Sequence, residues 1–310
     1  MPQTSSMKRR GSGRAGTTRA AAAVVRILIT ASGWIAIAVL TAIAVFLAVN
    51  AWQAAVSPEA GLLRMITGTS WYPTSTPPLY GFLQYIIATI RVTAVALVIA
   101  VPIGIAAAIY ISEFAARRVK EVVKSVVEFM AAVPSVIYGL MGVYVVGPAV
   151  RDALHLSSAL TALSAGIVLA FMALPTIISI SEDAMHAVPK DLRFGSLALG
   201  NTRWQTAYKV TVPAASSGIF ASVMLGMGRA IGETMVVLMV AGNSMENTWS
   251  LTTSARPLTA VIAGELGEVV QGGLHYSALF VVGLTLFVIT FLINLGADVV
   301  LERQRKRWRR

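Results

Sequence analysis

The sequence predicts an all-α fold: a polytopic membrane protein with six transmembrane helices. Three observations predict it. Of 310 residues, 56% are apolar and only 13% charged, whereas soluble domains sit near ~45–50% apolar and ~25% charged. The apolar residues fall into six runs, each near the ~20 residues a helix needs to cross the hydrocarbon core. The net charge of +11 is concentrated in the short segments between those runs, which is the topology signal of a membrane protein and not the footprint of a nucleic-acid partner. There is no cysteine, so disulfides and thiolate metal sites are excluded.

Residues 1–26 are polar and carry Lys8, Arg9, Arg10, Arg14, Arg19 and Arg26, the composition of a disordered basic tail. The first span, 27–49, follows without a charge. A basic region before an apolar one also suits a signal peptide, but that apolar region would hold ~7–15 residues, and this run is long enough to span. Residues 50–79 form a loop with four prolines, and Trp52, Trp71 and Tyr72 suit the headgroup level.

The second span, 80–111, is apolar apart from Arg91 and contains Pro102. After a basic segment comes the third, 126–150, which Pro134 should break or kink. The fourth covers 159–180 with Pro175 inside, the fifth 214–241 and the sixth 275–300. No strand pattern is visible. The last residues, 301–310, form a second basic tail.

Six spans place the connecting segments on alternating sides. The two tails, residues 112–124 and residues 185–211 hold twenty of the 25 Lys and Arg, and the opposite side holds only Arg64, Arg151 and Arg256. The positive-inside rule therefore puts both termini in the cytoplasm, together with the loop 188–213.

That loop is a long polar interruption between two apolar runs. Leu192, Leu197, Leu199 and Trp204 are its expected apolar anchors. Gly200 and Asn201 read as a helix stop, Thr202 as the cap of a second helix, and Pro213 as the opening of the fifth span. Two short helices at an angle result. An amphipathic hairpin packed on its own bundle or on lipid headgroups satisfies this pattern as well as a docking element does.

Three charges lie well within spans, away from their ends: Arg91, Arg229 and Glu233. A charge at the bilayer centre costs roughly 2.5–3.5 kcal/mol on insertion scales, so such residues face a partner or a watery path. Arg229 and Glu233, four apart, share a helical face and can pair. Helical rise puts Arg91 ~16 Å and Arg229 ~20 Å from the outer ends of their spans, so the charges could meet at one level. Two readings stand: an ion pair that fixes helix packing, or a lining of a translocation path. Pro134, Ser135 and Gly139 could likewise form a broken helix facing that path, or a packing kink. The glycines 226, 228 and 232 permit close helix approach. The three histidines have no metal-ligand spacing, and Met224, Met227, Met235 and Met239 suit core filling better than a metal path. No Walker-type loop and no nucleophile elbow occurs.

The loop 188–213 resembles the coupling loop of binding-protein-dependent ABC importer permeases, whose motif runs E-A-A, three residues, Gly, nine residues, I-x-L-P. Gly200, Val210, Val212 and Pro213 fall at matching positions, and Phe194 stands where the family has a carboxylate. AVPSVIYGLMG at 132–142, GMGRAIGETMVVLMVAGN at 226–243 and GLHYSALFVVGLTLFVITFLIN at 273–294 are together similar to phosphate importer permeases, and more like the PstC-type subunit than the PstA-type. The resemblance covers about 80–300, leaves the first span outside, and implies the MetI-like permease fold in a bacterial inner membrane.

It implies a transport subunit, not an enzyme, that passes inorganic phosphate and itself holds no cofactor. ATP and Mg would be bound by a partner. The implied partners are a second, PstA-type permease, two PstB-type ATPase subunits, a PstS-type phosphate-binding protein delivering to outer loops including 243–274, and membrane lipid, with no nucleic acid. Arg229, Glu233, Arg91, Pro134 and Ser135 are the expected path residues, where guanidinium matches phosphate geometry better than ammonium does. Asp191, Arg193, Phe194, Leu199, Gly200, Arg203, Trp204 and Pro213 are the expected coupling residues. With Phe194 replacing the acid, docking is expected through Asp191, Arg193 or apolar contact by Phe194. A permease for another oxyanion or solute, an ion-coupled transporter or channel without an ATPase, and a sensor of phosphate status are the competing functions.

Overall fold

The computed structural model describes residues 12–245 and 248–308, with side chains placed for 24–245, 248–299 and 302. Lys8, Arg9, Arg10, Glu246, Arg309 and Arg310 lie outside the described residues, as do the side chains of the other tail cations up to Arg19 and beyond Val300. The chain divides into two compact units, residues 1–49 and 50–310.

The first unit holds most of α1, Ser12–Val56. This helix begins fifteen residues before the apolar run, so the part of the basic tail from Ser12 onward is helical and not disordered. The four consecutive alanines 20–23, the best helix formers, carry the helix outward from the span.

In the second unit, α2 (Leu62–Thr67) leads to a short antiparallel hairpin, β1 (Trp71–Tyr72) paired with β2 (Leu79–Tyr80) in the register Trp71↔Tyr80. These strands were not legible in the sequence, because two residues are too few to display alternation. Gly68 and Gly81 cross so closely that a Cβ on Gly81 would sit 2.4 Å from the Gly68 carbonyl carbon. The second span is α3 (Leu83–Ile109), which runs on through a π-helical turn to Phe114.

The third span differs from expectation. Residues 117–132 form a separate helix, α4 (Arg117–Ala132), bent by 95° from the helical segment 135–154 that follows. With six charged residues in sixteen, α4 suits an interface and not a bilayer centre. The apolar crossing is built instead from α5 (Ser135–Met141), a π-helical turn and α6 (Gly147–Leu154). Pro134 is the N-cap of α5, so the expected break is real, and it lies at the beginning of the span and not within it.

The fourth span is α7 (Ala162–His186), capped by the Thr161 side chain accepting from the Ser164 amide. Next come α8 (Lys190–Ala198), α9 (Arg203–Thr206), a π-helical turn and α10 (Val212–Ala214). Residues 203–214 meet α11 (Ser216–Gly232) at a bend of 71°. Pro213 thus lies within the last turn of the segment 203–214, and the fifth span begins after it. That span is itself interrupted at Glu233 and Thr234 before α12 (Met235–Val240). After α13 (Leu258–Glu265), α14 (Leu274–Trp308) carries the sixth span and continues through most of the basic tail. Among the described residues, four helices are long and apolar enough to cross a membrane unaided, and up to six crossings result when each bent pair counts as one.

Helix α7 is the axis of the core. Its Ala165, Val168, Leu169, Met172, Ala173 and Ile177 are buried against α3, α5, α11 and α12. Glycines set the close approaches: a Cβ on Gly166 would meet Val95 at 2.5 Å, and one on Gly104 or Gly226 would meet Ile177 at 2.7 Å. Small residues at crossings are what membrane helices use where no water drives association.

Candidate functional site

The basic face is built around α8 and α9. Gly200 adopts φ +85° with no neighbour near its Cβ position, so the stop is a backbone requirement and not a matter of space. Thr202 accepts from the Gln205 amide and Gln205 Oε1 accepts from the Thr202 amide, a capping box that starts α9. Beneath the turn, Ser196 Oγ lies 2.9 Å from Thr206 Oγ1 and accepts from Asn201 Nδ2. The predicted stop and cap are both formed.

The side chains sort differently from expectation. Arg193 faces inward: it pairs with Glu113 Oε1 at 3.0 Å and donates to the Met185 carbonyl at 2.6 Å. It braces α8 against the ends of α3 and α7 and does not offer itself to a partner. Arg203 donates to the Glu113 carbonyl and lies 5.7 Å over the Phe114 ring, and Trp204 sits between Phe114 and Tyr208. Leu192, Leu197 and Leu199 are exposed, Leu199 at 86%, so they do not anchor the hairpin to its own bundle. With Phe194 at 63% and Trp204 at 59% they leave an apolar, aromatic surface uncovered. Asp191, at the first turn of α8, is exposed beside it.

Within the bundle, Arg229 and Glu233 do not pair. The helix ends at Gly232 and Glu233 is extended, with φ −71° and ψ 131°, so the four-residue spacing no longer shares a face. Glu233 Oε1 accepts instead from the Met235 and Val236 amides, capping α12, and its carbonyl accepts from Thr259 Oγ1. Arg229 is half-buried near the end of α11, and its guanidinium lies 3.5 Å from Thr176 Oγ1. It has no carboxylate within ion-pair reach among the described residues. Helix α5, which Pro134 caps, packs against α12, the segment that follows the Glu233 break. Gly228 and Gly232 have nothing near a Cβ position, so of the three glycines only Gly226 serves packing within this chain. Gly139 admits Met239, whose sulfur would lie 2.5 Å from its Cβ. That places Met239 in the core.

Arg91 does not join Arg229. It is 3% exposed and holds the segment 248–255 from below, donating to the Thr248 carbonyl at 2.7 Å, to the Ser250 carbonyl and to Thr253 Oγ1 at 3.1 Å.

Residues 100–310 match the family described as "Binding-protein-dependent transport system inner membrane component". The chain belongs to this family. The permease is 40% identical over 280 residues to the "Probable ABC transporter permease protein YqgH" of Bacillus subtilis, covering 90% of this chain and 91% of that one. It is 36% identical to the "Phosphate transport system permease protein PstC" of Mesorhizobium japonicum, covering 93% and 88%. Both alignments are longer than residues 80–300, so the likeness reaches past the core to which the motifs confined it. Among solved structures, a bacterial ABC transporter for alginate import matches with TM-score 0.59 at 17% identity over 87% of this chain and 96% of that one. An inward-facing MetNI methionine ABC transporter matches with TM-score 0.58 at 18% identity, over 72% and 95%. These identities speak to the fold alone, which is the expected MetI-like one.

Three carboxylates of the permease escaped the sequence reading. Glu182, 2% exposed in α7, is gripped by Lys120 Nζ at 2.6 Å and Lys124 Nζ at 2.8 Å, both from α4. Lys124 is thus taken by Glu182 and not by the nearby Glu128. Glu113 receives Arg193. Glu265 joins Arg256 at 2.8 Å, His275 Nε2 at 2.8 Å and Trp71 Nε1 at 3.0 Å, tying the hairpin to α13 and α14. In Glu182 a carboxylate follows an apolar span of matching helical period, and such a residue must find a cation or lose its charge. Its partners lie about sixty residues away, beyond the reach of local pattern.

Proposed function

We infer that this chain is the transmembrane subunit of an ATP-driven phosphate importer, forming half of the translocation path. The observation that carries the reading is Arg229: a guanidinium at the broken end of a span, half-buried, with no carboxylate partner among the described residues. A cation held in that way attracts an anion, and its planar fork suits phosphate oxygens. The phosphate permeases named among its relatives support the choice of cargo. Since Glu233 is occupied in capping α12, Arg229 acts as an unneutralised cation and not as half of a pair.

The partner assembly follows from the same reading. A second, PstA-type permease completes the path, two PstB-type ATPase subunits bind ATP and Mg, and a PstS-type protein delivers phosphate to the outer face. One ATPase meets the exposed Phe194, Leu199 and Trp204 beside Asp191, so apolar contact replaces the acid that the coupling motif usually carries. Arg193 and Arg203 hold that surface in place. Closure of the ATPase pair moves α8 and α9, and the bend between residues 203–214 and α11 passes the motion to Arg229.

The test is phosphate uptake by the assembled transporter in vesicles with and without ATP inside. Uptake should require ATP, and Arg229→Ala should lower it at least about tenfold, the scale of one lost charged hydrogen bond, with normal amounts of assembled chain. Normal phosphate uptake in that variant overturns the site assignment. Uptake without ATP favours an ion-coupled carrier.

A further inference from the structure

Residues 248–255 form a strap across the ends of α3 and α7 on the face opposite α8. Three sets of contacts hold it. The first amides of α7 donate into it, Ala162 to the Thr253 carbonyl at 2.9 Å and Leu163 to the Leu251 carbonyl at 2.8 Å. Ala255 bridges to the end of α12, its amide donating to the Ala241 carbonyl and its carbonyl accepting from Asn243. The third is Arg91, eight residues into α3 from Leu83 and so ~12 Å along its axis. Its two terminal nitrogens reach two strap carbonyls and one hydroxyl.

Irregular backbone at that depth survives only where protein satisfies its polar groups, and a guanidinium that deep in a span needs partners just as much. Each solves the other's problem while the strap is down. When the strap lifts, its carbonyls reach water but Arg91 stays in the helix and loses three acceptors at once. The guanidinium therefore favours the lowered strap strongly and in one direction. Lysine, with a single compact head, cannot span the same three acceptors.

We propose that Arg91 is a positioning residue for transport: it latches the strap 248–255 over the outer end of the bundle, and opening the path outward requires that latch to release. Arg91 thus acts through the strap and does not line the phosphate path. The proposal rests on the reading of this chain as a transport subunit with the strap on the outer side, and not on phosphate as the cargo.

The chain contains no cysteine, so one introduced thiol reports one place. Ala255 is 2% exposed at the end of the strap, and Ala60 is 2% exposed in the outer segment away from it. A membrane-impermeant maleimide is added from outside to cells carrying the assembled transporter. Ala255→Cys should react slowly in the parent, and Arg91→Gln should raise its rate about tenfold or more, as loss of charged hydrogen bonds implies. Arg91→Lys should fall between, and Ala60→Cys should stay protected throughout. An unchanged rate at Ala255→Cys overturns the latch. So does a rise matched at Ala60→Cys, which marks general loosening. Should Arg91→Gln not accumulate, Thr253→Val removes one latch contact and carries the same comparison: a smaller selective rise is expected, and none refutes the proposal. Because labelling needs neither phosphate nor ATP, its outcome stands apart from that of the uptake test.

Discussion

Glu182 puts the energetics of single residues most plainly. A carboxylate 2% exposed would be expelled from the fold or neutralised if it stood alone, yet two lysine heads meet its two oxygens. The lysines are 28% and 42% exposed, so the two sides of the clamp are unequal. Removing the lysines strands a buried charge, for which about 3–5 kcal/mol is typical. Removing the acid leaves two cations that can turn to water. The double variant Lys120→Ala, Lys124→Ala should therefore lower the thermal unfolding temperature in detergent well beyond Glu182→Gln. Equal losses would mean that the carboxylate is not clamped. The same contrast explains what the sequence could and could not disclose about the charged residues. That Arg91 and Arg229 needed partners was legible from their place in apolar runs. Which partners they found was not, because those of Arg91 lie 157 to 162 residues away and Thr176 lies 53 residues from Arg229.

Among the elements, legibility tracked whether the signal was local. The stop at Gly200 and the cap at Thr202 are made by neighbouring residues, and both formed as expected. The break at Glu233 is held from outside the run by Thr259, and the continuous apolar pattern of 214–241 concealed it. The AGN that closes this stretch gains a physical reason. Gly242 has φ +89° and a Cβ there would lie 2.4 Å from Ser254 Oγ, while Asn243 at φ 56° donates to the Leu238 carbonyl. The α8–α9 elbow yields a sharper prediction. At φ +85° a bulky side chain is strained, whereas Asn visits the left-handed region at little cost. Gly200→Trp should raise the ATP hydrolysed per phosphate moved by the assembled transporter severalfold, since an elbow that bends wrongly still meets the ATPase but transmits less. Gly200→Asn should leave that ratio near the parent's. An unchanged ratio in Gly200→Trp removes the elbow from the coupling path.

At the scale of the whole molecule, charge and fold agree on which ends belong together. The basic segments after α3 and after α7 meet in space, through Glu182 with Lys120 and Lys124 and through Arg193 with Glu113. The hairpin, the strap and the Glu265 cluster gather at the other end. Cations are counted by the insertion machinery near span ends, so the bias that six alternating spans would create, twenty of 25 Lys and Arg on one side, should fix the orientation firmly. The shifted third span leaves the bias as it was, because Arg117, Arg118, Lys120 and Lys124 of α4 are already among the twenty. A reporter that fluoresces only in the cytoplasm should be active when fused after Arg310, and a phosphatase that folds only outside should be active when inserted after Gly267. The exchanged fusions should be silent. Outward activity at Arg310 would reverse the membrane direction assigned to every element, placing the apolar surface of α8 and α9 where no ATPase could reach it.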